Sequence, residues 1–126
     1  MANDLTNLTI PAQFNEVISR IDETGYFSDN LTILRFAFSY AIKHYFEEFD
    51  PEEIDTNYAG GNSALNYNVG SIDGGDKFLY NFILSAYPEC ETPYKYIRGV
   101  IIYGLKKLNE KLKDLNTISY DDIITK

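Results

Sequence analysis

Cysteine, histidine and tryptophan are nearly absent from this chain of 126 residues, which has one cysteine, one histidine and no tryptophan. Cys90 alone cannot form an internal disulfide or a zinc cage, so a disulfide scaffold and a zinc finger are excluded. The sequence also lacks a phosphate-binding loop, a dinucleotide fingerprint and a nucleophile elbow. A Cys90–His44 pair stays open, although Glu89 and Glu91 beside the cysteine disfavour a thiolate. We therefore expect no enzyme, no cofactor and no metal site.

Long apolar runs and targeting signals are scarce as well. The most apolar segment, residues 31–46, is interrupted by Arg35, Lys43 and His44, so it is too short and too charged to span a bilayer. Residues 1–11 have neither the basic region nor the apolar stretch of a secretory signal. With 44% hydrophobic and 24% charged residues, the chain has the composition of one globular domain, residues 1–126. We expect a cytoplasmic protein without a membrane partner.

Basic residues are few, and they are unevenly distributed. Nineteen acidic and eleven basic residues give a net charge of −8, of which residues 1–94 contribute −11 and residues 95–126 contribute +3. Because cations on one helix can neutralise DNA phosphates, the last helix is the candidate DNA-binding surface. The alternative is a solvated face that complements the helix dipole and the acidic remainder. The candidate DNA-binding residues are Lys95, Arg98, Lys106, Lys107, Lys111 and Lys113.

The order of patterns predicts a mainly α fold, with a short N-terminal strand followed by about four helices. Period-two alternation indicates the strand, and apolar residues three and four apart indicate the helices. Thr92-Pro93 is a strong start signal for the last helix. Residues of about 55–75 show turn chemistry without a sustained period, and we interpret them as a long loop. The predicted elements are a strand over 5–10 and helices over 14–24, 31–48, 76–87 and 93–115.

A group of acidic residues surrounds the predicted end of the second helix. It can be read as a site for a hard cation or a basic partner, or as a solvated helix end, and we favour the last reading. The group consists of Glu47, Glu48, Asp50, Glu52, Glu53 and Asp55.

Two features predict a homo-oligomer. The helix over residues 31–48 is apolar on nearly every side, which calls for more than one packing partner. The N-terminal strand has no evident second strand, and an unpaired strand is a liability that proteins usually remove. Antiparallel pairing with the same strand of a second copy would satisfy both needs, with Leu5, Leu8 and Ile10 at the interface. The alternative is a monomer in which this segment is extended but unpaired.

The strand–helix–helix start resembles the ribbon-helix-helix arrangement. That resemblance implies a two-chain ribbon that presents Leu5, Asn7 and Thr9 to the major groove, and a phosphate at Ser28-Asp29-Asn30. The ribbon contains no Lys or Arg. The alternative is a ribbon that serves dimerisation alone.

The order of elements over residues 5–117 resembles the DndE family of DNA phosphorothioation systems. The matching features are the apolar helix, the Ser71-Ile72-Asp73-Gly74-Gly75-Asp76-Lys77-Phe78 segment, and Tyr96-Ile97-Arg98-Gly99 with Gly104-Leu105 in the last helix. The resemblance implies a helical, oligomeric, non-catalytic accessory subunit that binds DNA and works with other proteins of a modification or defence system. The alternative function is an acidic adaptor that binds a basic protein and no nucleic acid.

Overall fold

α-Helices dominate the computed structural model, which describes residues 3–126 apart from the side chain of Ala64. The mainly α prediction is confirmed. In chain order the elements are β1 (Asn7–Pro11), α1 (Asn15–Glu23), α2 (Asn30–Tyr45), α3 (Pro51–Asn57), β2 (Ser63–Asn68), α4 (Val69–Asp73), α5 (Phe78–Ala86), α6 (Pro93–Leu112) and α7 (Tyr120–Ile124). Among the described residues, no helix combines the length and the apolar character that crossing a bilayer requires.

The central element is α6, which packs against α2, α3 and α5. Its residues 97–105 are all buried, although the stretch includes two glycines and an arginine. A Cβ atom at Gly99 would lie 2.0 Å from the carbonyl oxygen of Pro51, and one at Gly104 would lie 2.1 Å from that of Ala37. The two glycines therefore let the backbones of α3 and α2 lie directly against α6.

The apolar helix α2 is covered within the same chain. Ala37 and Ala41 are fully buried, and α2 makes its most extensive contact with α6. On another side, Phe38 meets Phe82 of α5 in an edge-to-face contact with ring centroids 5.8 Å apart. The all-round apolar character of α2 therefore does not require a second copy of the chain.

The strand β1 also has its partner in the same chain. It pairs antiparallel with β2, so that Leu8 lies opposite Tyr67 and Ile10 opposite Leu65. Leu8 and Ile10 are fully buried in the core, so their assignment to an interface between chains is wrong. Leu5 packs against the core in part, and its interface role stays a prediction. The prediction failed because β2 was hidden in a segment rich in Asn and Gly.

The predicted long loop at residues 55–75 is wrong for the same reason. The segment contains the end of α3, all of β2 and all of α4. Within β2, Leu65 and Tyr67 alternate with exposed asparagines, which is the period-two pattern of a half-buried strand. Pairing with β1 stabilises this pattern despite its low strand propensity.

The outer edge of β1 is occupied by a side chain from α6. The Val69 amide donates to the Thr6 carbonyl, which sets the alternation of hydrogen bonds along the antiparallel pair. The backbone N–H and C=O groups of Leu8 and Ile10 therefore point toward β2, and those of Thr9 point away from it. The Nε of Arg98 donates to the Thr9 carbonyl at 2.8 Å. A ribbon built by pairing β1 with a second β1 would have to displace this bond.

The segments at Asp4 and at α7 are fastened to α6 or its neighbours. Thr92 stands at the N-cap position of α6 as predicted, but its side chain makes no capping bond. The Asp4 carboxylate accepts hydrogen bonds from the Tyr94 and Lys95 amides instead, at 2.9 and 3.0 Å. At the other end, Ile123 of α7 is fully buried. α7 was not predicted, although a Ser119/Asp122 capping box precedes its two isoleucines.

Candidate nucleic-acid interface

The six predicted DNA-binding cations lie in three different environments. Arg98 is buried in the middle of α6, and Lys95 stands among carboxylates near its start. The other four lie together around the C-terminal end of the helix, namely Lys106, Lys107, Lys111 and Lys113.

Arg98 does not belong to a DNA-binding surface, because it is 5% exposed and its guanidinium is bonded inside the chain. Its Nη1 donates to the Asp55 carboxylate at 2.9 Å and to the Asp55 carbonyl at 3.1 Å. Its Nη2 donates to the Tyr58 carbonyl at 2.8 Å, and its Nε donates to the Thr9 carbonyl. Arg98 therefore joins β1 and the end of α3 to α6, and its assignment as a phosphate contact is wrong.

Lys95 is separated from the other lysines by its surroundings. It lines a cleft between α3 and the segment before α6 together with Glu52, Asp55, Glu89 and Glu91. A phosphate that approached Lys95 would meet these four carboxylates. The structure therefore places Lys95 in an acidic cleft rather than on a basic surface.

Three of the four lysines at the end of α6, Lys106, Lys107 and Lys111, lie over a cluster of tyrosine rings. The rings of Tyr40, Tyr45 and Tyr103 adjoin one another, with centroids 6.0 Å apart for Tyr40–Tyr45 and 5.9 Å apart for Tyr45–Tyr103. Lys107 Nζ stands 5.2 Å from the Tyr45 ring centre and 5.5 Å from that of Tyr103. We call the whole group the lysine–tyrosine surface, and its members are Tyr40, Tyr45, Tyr103, Lys106, Lys107, Lys111, Lys113 and Lys126.

Three further ammonium groups complete this arrangement over the rings. Lys106 Nζ lies 5.9 Å from the centre of Tyr103, and Lys126 Nζ lies 4.9 Å from the centre of Tyr45. Lys111 Nζ lies 4.5 Å from the centre of the Tyr40 ring. Cations at these distances are attracted by the negative faces of the rings, which orders the lysines without neutralising their charge.

Lys111 is the least available cation of the surface. Its ammonium donates to the Ile123 carbonyl at 2.8 Å and to the Thr125 carbonyl, so it holds the segment after α7 in place. Tyr40 Oη donates to the same Thr125 carbonyl at 3.1 Å. Burial lowers the pKa of Lys111 to about 8. Lys111 therefore anchors the C-terminal segment, and the assignment of a phosphate contact to it is weakened.

Lys106, Lys113 and Lys126 are the exposed cations of the surface, and Lys106 and Lys113 both lie on α6 or at its end. Lys106 and Lys113 are seven residues apart and Lys113 keeps helical backbone angles, so these two side chains leave the helix on the same side about 10 Å apart. Lys107 has a carboxylate nearby, since its Nζ lies 3.7 Å from Glu110 Oε2. The surface thus presents Lys106, Lys113 and Lys126 to solvent, while the Lys107 ammonium lies between the tyrosine rings and the Glu110 carboxylate.

The phosphate position suggested by the ribbon-helix-helix resemblance is already occupied. The Asp29 carboxylate accepts hydrogen bonds from the Thr32 amide at 2.8 Å and from the Thr32 hydroxyl at 2.7 Å. These bonds lower the pKa of Asp29, so the group is negatively charged at neutral pH. A phosphate at the start of α2 would meet this charge instead of free amides.

Cys90 and His44 are not brought together as a nucleophile–base pair. The His44 ring lies against Tyr40, 4.8 Å between centroids, and its Nε2 lies 3.2 Å from the Ile124 carbonyl. Cys90 lines a separate cleft with Tyr87 and Tyr96, where burial raises the pKa of its thiol.

The acidic group around the end of α2 has local roles. Asp50 caps α3 by accepting a bond from the Glu52 amide at 3.0 Å, and Asp55 pairs with Arg98. Glu52 accepts a bond from Tyr96 Oη at 3.2 Å. The favoured reading, a solvated helix end, fits Glu47, Glu48 and Glu53, which are exposed.

Sequence reasoning missed the tyrosines and Lys126 as members of the surface. One signal was available for part of it, because Tyr103, Lys107 and Lys111 are four residues apart and therefore share a helix face. Nothing in the sequence places Tyr45 or Lys126 beside that face.

No family model matches this chain, and no curated protein or solved structure matches it either.

Proposed function

We propose that this chain is a non-catalytic DNA-binding accessory protein that contacts DNA phosphates through the lysine–tyrosine surface. The observation that carries the proposal is the grouping of four lysine ammoniums within 6 Å of three adjoining tyrosine rings. Within the described part of the chain, Lys107 is the one lysine of the surface with a carboxylate at ion-pair distance. Lys106, Lys107 and Lys126 are therefore ordered by the rings and keep their charge for phosphates, whereas Lys111 is bonded to the Ile123 and Thr125 carbonyls.

The proposed binding is weak, independent of base sequence and sensitive to salt. Lys106, Lys107, Lys113 and Lys126 can reach about four phosphates, each of which releases counterions and contributes about −0.9 to the slope of log affinity against log salt. Glu110 and Asp114 lie on the same stretch of chain and oppose the approach of DNA. The net charge of −8 limits the interaction to this one region.

A DNA-binding measurement with matched charge changes tests the proposal. In fluorescence anisotropy with duplex DNA at low salt, Lys106→Gln/Lys113→Gln should weaken binding about tenfold or more and reduce the salt slope by about 2. The control Lys77→Gln/Lys95→Gln removes the same charge from exposed or acidic surroundings elsewhere and should leave most of the affinity. No binding by the unaltered chain, or an equal loss in both variants, would refute the proposal.

The family resemblance supplies the biological setting of this proposal. It is a cytoplasmic subunit that resembles DndE and works with other proteins of a DNA sulfur-modification or defence system. The proposal does not include DNA binding by a ribbon or by the start of α2, because the Thr9 carbonyl and the Thr32 amide are already hydrogen-bonded within the chain.

A second candidate function is an adaptor for a basic protein, and the acidic cleft favours it. Glu52, Asp55, Glu89 and Glu91 line this cleft with the Tyr96 ring beside them. The discriminating experiment is titration with an oligolysine peptide. Binding that disappears in Glu89→Gln/Glu91→Gln, together with no DNA binding at low salt, would favour the adaptor over the DNA-binding subunit.

A further inference from the structure

The two edges of the β1–β2 sheet are protected unequally. At the β1 edge, Arg98 bonds the Thr9 carbonyl, and Pro11 is the last residue of the strand. Proteins commonly protect exposed edges with prolines, bulges or charged side chains. The β2 edge carries a bulge at Ala64, the extra residue between the partners of Ile10 and Pro11. Beyond the bulge, residues 65–68 have none of these devices, since they include no proline and no charged residue and their pairing is regular.

Asn66 is the residue that presents the free backbone groups of β2. By the same alternation, the backbone N–H and C=O groups of Leu65 and Tyr67 point toward β1, and those of Asn66 point away from it. Asn66 is exposed, and neither group has a hydrogen-bond partner in another described segment. A second strand can therefore add to the sheet at Asn66 without breaking an existing bond.

The charge distribution identifies the kind of strand that fits this edge. Residues 56–72 are seventeen consecutive positions without an acidic or basic side chain, in a chain whose net charge is −8. Two copies of so acidic a chain repel each other over most of their surfaces, and this edge lets them approach without bringing carboxylates together. A basic partner would gain no electrostatic attraction at this uncharged edge. A second copy of the chain, in contrast, can approach here without the repulsion between carboxylates that opposes its approach elsewhere.

We propose that two copies of this chain pair through β2, antiparallel about a two-fold axis at Asn66, to form a four-stranded sheet. In this register Asn66 lies opposite Asn66 of the second copy, and the two residues exchange a pair of backbone hydrogen bonds. Leu65 lies opposite Tyr67 of the second copy, and by symmetry Tyr67 lies opposite Leu65 of the second copy. An aliphatic–aromatic pair across strands is a favourable combination, and the two-fold axis forms it twice.

This dimer replaces the one expected through β1 and is independent of DNA binding. A six-residue strand buries less area than a standard interface, so the association depends on concentration. Light scattering over micromolar to millimolar concentrations should give a mass that rises from 14.4 kDa toward twice that value. The Asn66 amide should exchange with deuterium more slowly as concentration rises.

A proline at the two-fold axis tests the hydrogen bonds themselves. Asn66→Pro removes an N–H that β1 does not use, so the chain should keep its circular dichroism while the dimer weakens about tenfold or more. Asn66→Ser keeps the backbone donor and is the control, which should dimerise like the unaltered chain. A single-chain mass at every concentration, or a dimer equally strong in Asn66→Pro, would overturn the proposal.

A charge pair provides a second test that does not depend on proline. Asn66→Asp and Asn66→Lys each place like charges face to face at the axis, so each variant alone should be monomeric. Mixed in equal amounts, the two variants should form a heterodimer, because the axis then joins opposite charges. Failure of the mixture to associate while the unaltered chain dimerises would show that the interface lies elsewhere.

Discussion

Arginine and lysine serve different purposes at the residue scale of this protein. All three arginines donate to backbone carbonyls of distant segments, as Arg35 does to Ser71 and Ile72 and Arg20 does to Leu112 and Leu115. The planar guanidinium has five donors and can bond several carbonyls at once, which an ammonium does less well. A count of basic residues therefore overstates the cations that are free to meet DNA.

Replacing Arg98 by Met should lower the free energy of unfolding by about 3–5 kcal/mol. The substitution keeps the length of the side chain but leaves Asp55 buried without its partner and three carbonyls without a donor. Urea denaturation followed by circular dichroism measures the loss. Lys106→Met is the control, and we expect a change within about 0.5 kcal/mol because the side chain is exposed. Similar losses in the two variants would contradict the structural role of Arg98.

Lys111 should make stability depend on pH in the alkaline range. Its pKa is about 8 in the folded chain because of burial, against 10.5 ordinarily, so between these values the unfolded chain binds more protons. Stability that arises from this residue therefore rises with pH across that interval.

The comparison that isolates Lys111 is with a Lys111→Met variant. The difference in unfolding free energy, unaltered chain minus variant, should shift in favour of the unaltered chain between about pH 8 and about pH 10.5. Above pH 10.0 the half-buried Tyr96 acts in the opposite sense in both proteins, since burial raises its pKa to about 12. A difference that stays constant with pH would show that the Lys111 pKa is ordinary.

At the scale of elements, the position of α6 depends on its two glycines. Gly104→Ala should destabilise the fold by about 1–3 kcal/mol or more, because the new methyl group would overlap the Ala37 carbonyl and push α2 away. This cost exceeds the gain of about 1 kcal/mol in helix propensity.

Thermal unfolding of Gly104→Ala should be compared with that of Gly75→Ala. Gly75 lies between α4 and α5 with no atom within 4 Å of the added methyl group, and its φ angle is not positive. We expect Gly75→Ala to unfold like the unaltered chain. A Gly104→Ala variant with an unchanged midpoint would mean that the two helices do not meet at this glycine.

Elements with strong local signals were predictable, and elements that depend on distant partners were not. The apolar period of residues 14–21 and the Thr92-Pro93 start place α1 and α6 nearly where the structure has them. β2 was missed because an isolated Asn-rich strand has little intrinsic preference and is stabilised by β1. α3 was not predicted, although Asp50-Pro51 supplies the cap and the first residue of that helix.

At the scale of the whole molecule, charge repulsion is stronger than charge pairing. The chain carries nineteen acidic and eleven basic residues, and the described part contains two ion pairs, Arg98–Asp55 and Lys107–Glu110. Salt therefore screens more repulsion than attraction. We expect the melting temperature to rise by a few degrees between about 20 mM and about 200 mM sodium chloride. Choline chloride should have the same effect, and a fall in melting temperature would show that attraction dominates.

The sequence by itself determined the features that arise from composition and local periodicity. The mainly α content, the acidic charge and the basic end of α6 can all be read from it, because each depends on residues close together in the chain. The tertiary structure decided the pairing of β1 with β2, the burial of Arg98 beside Asp55, and the gathering of Lys126 with Tyr45 and Tyr103. These features depend on contacts between segments twenty to eighty residues apart, which packing around α6 creates and no local pattern encodes.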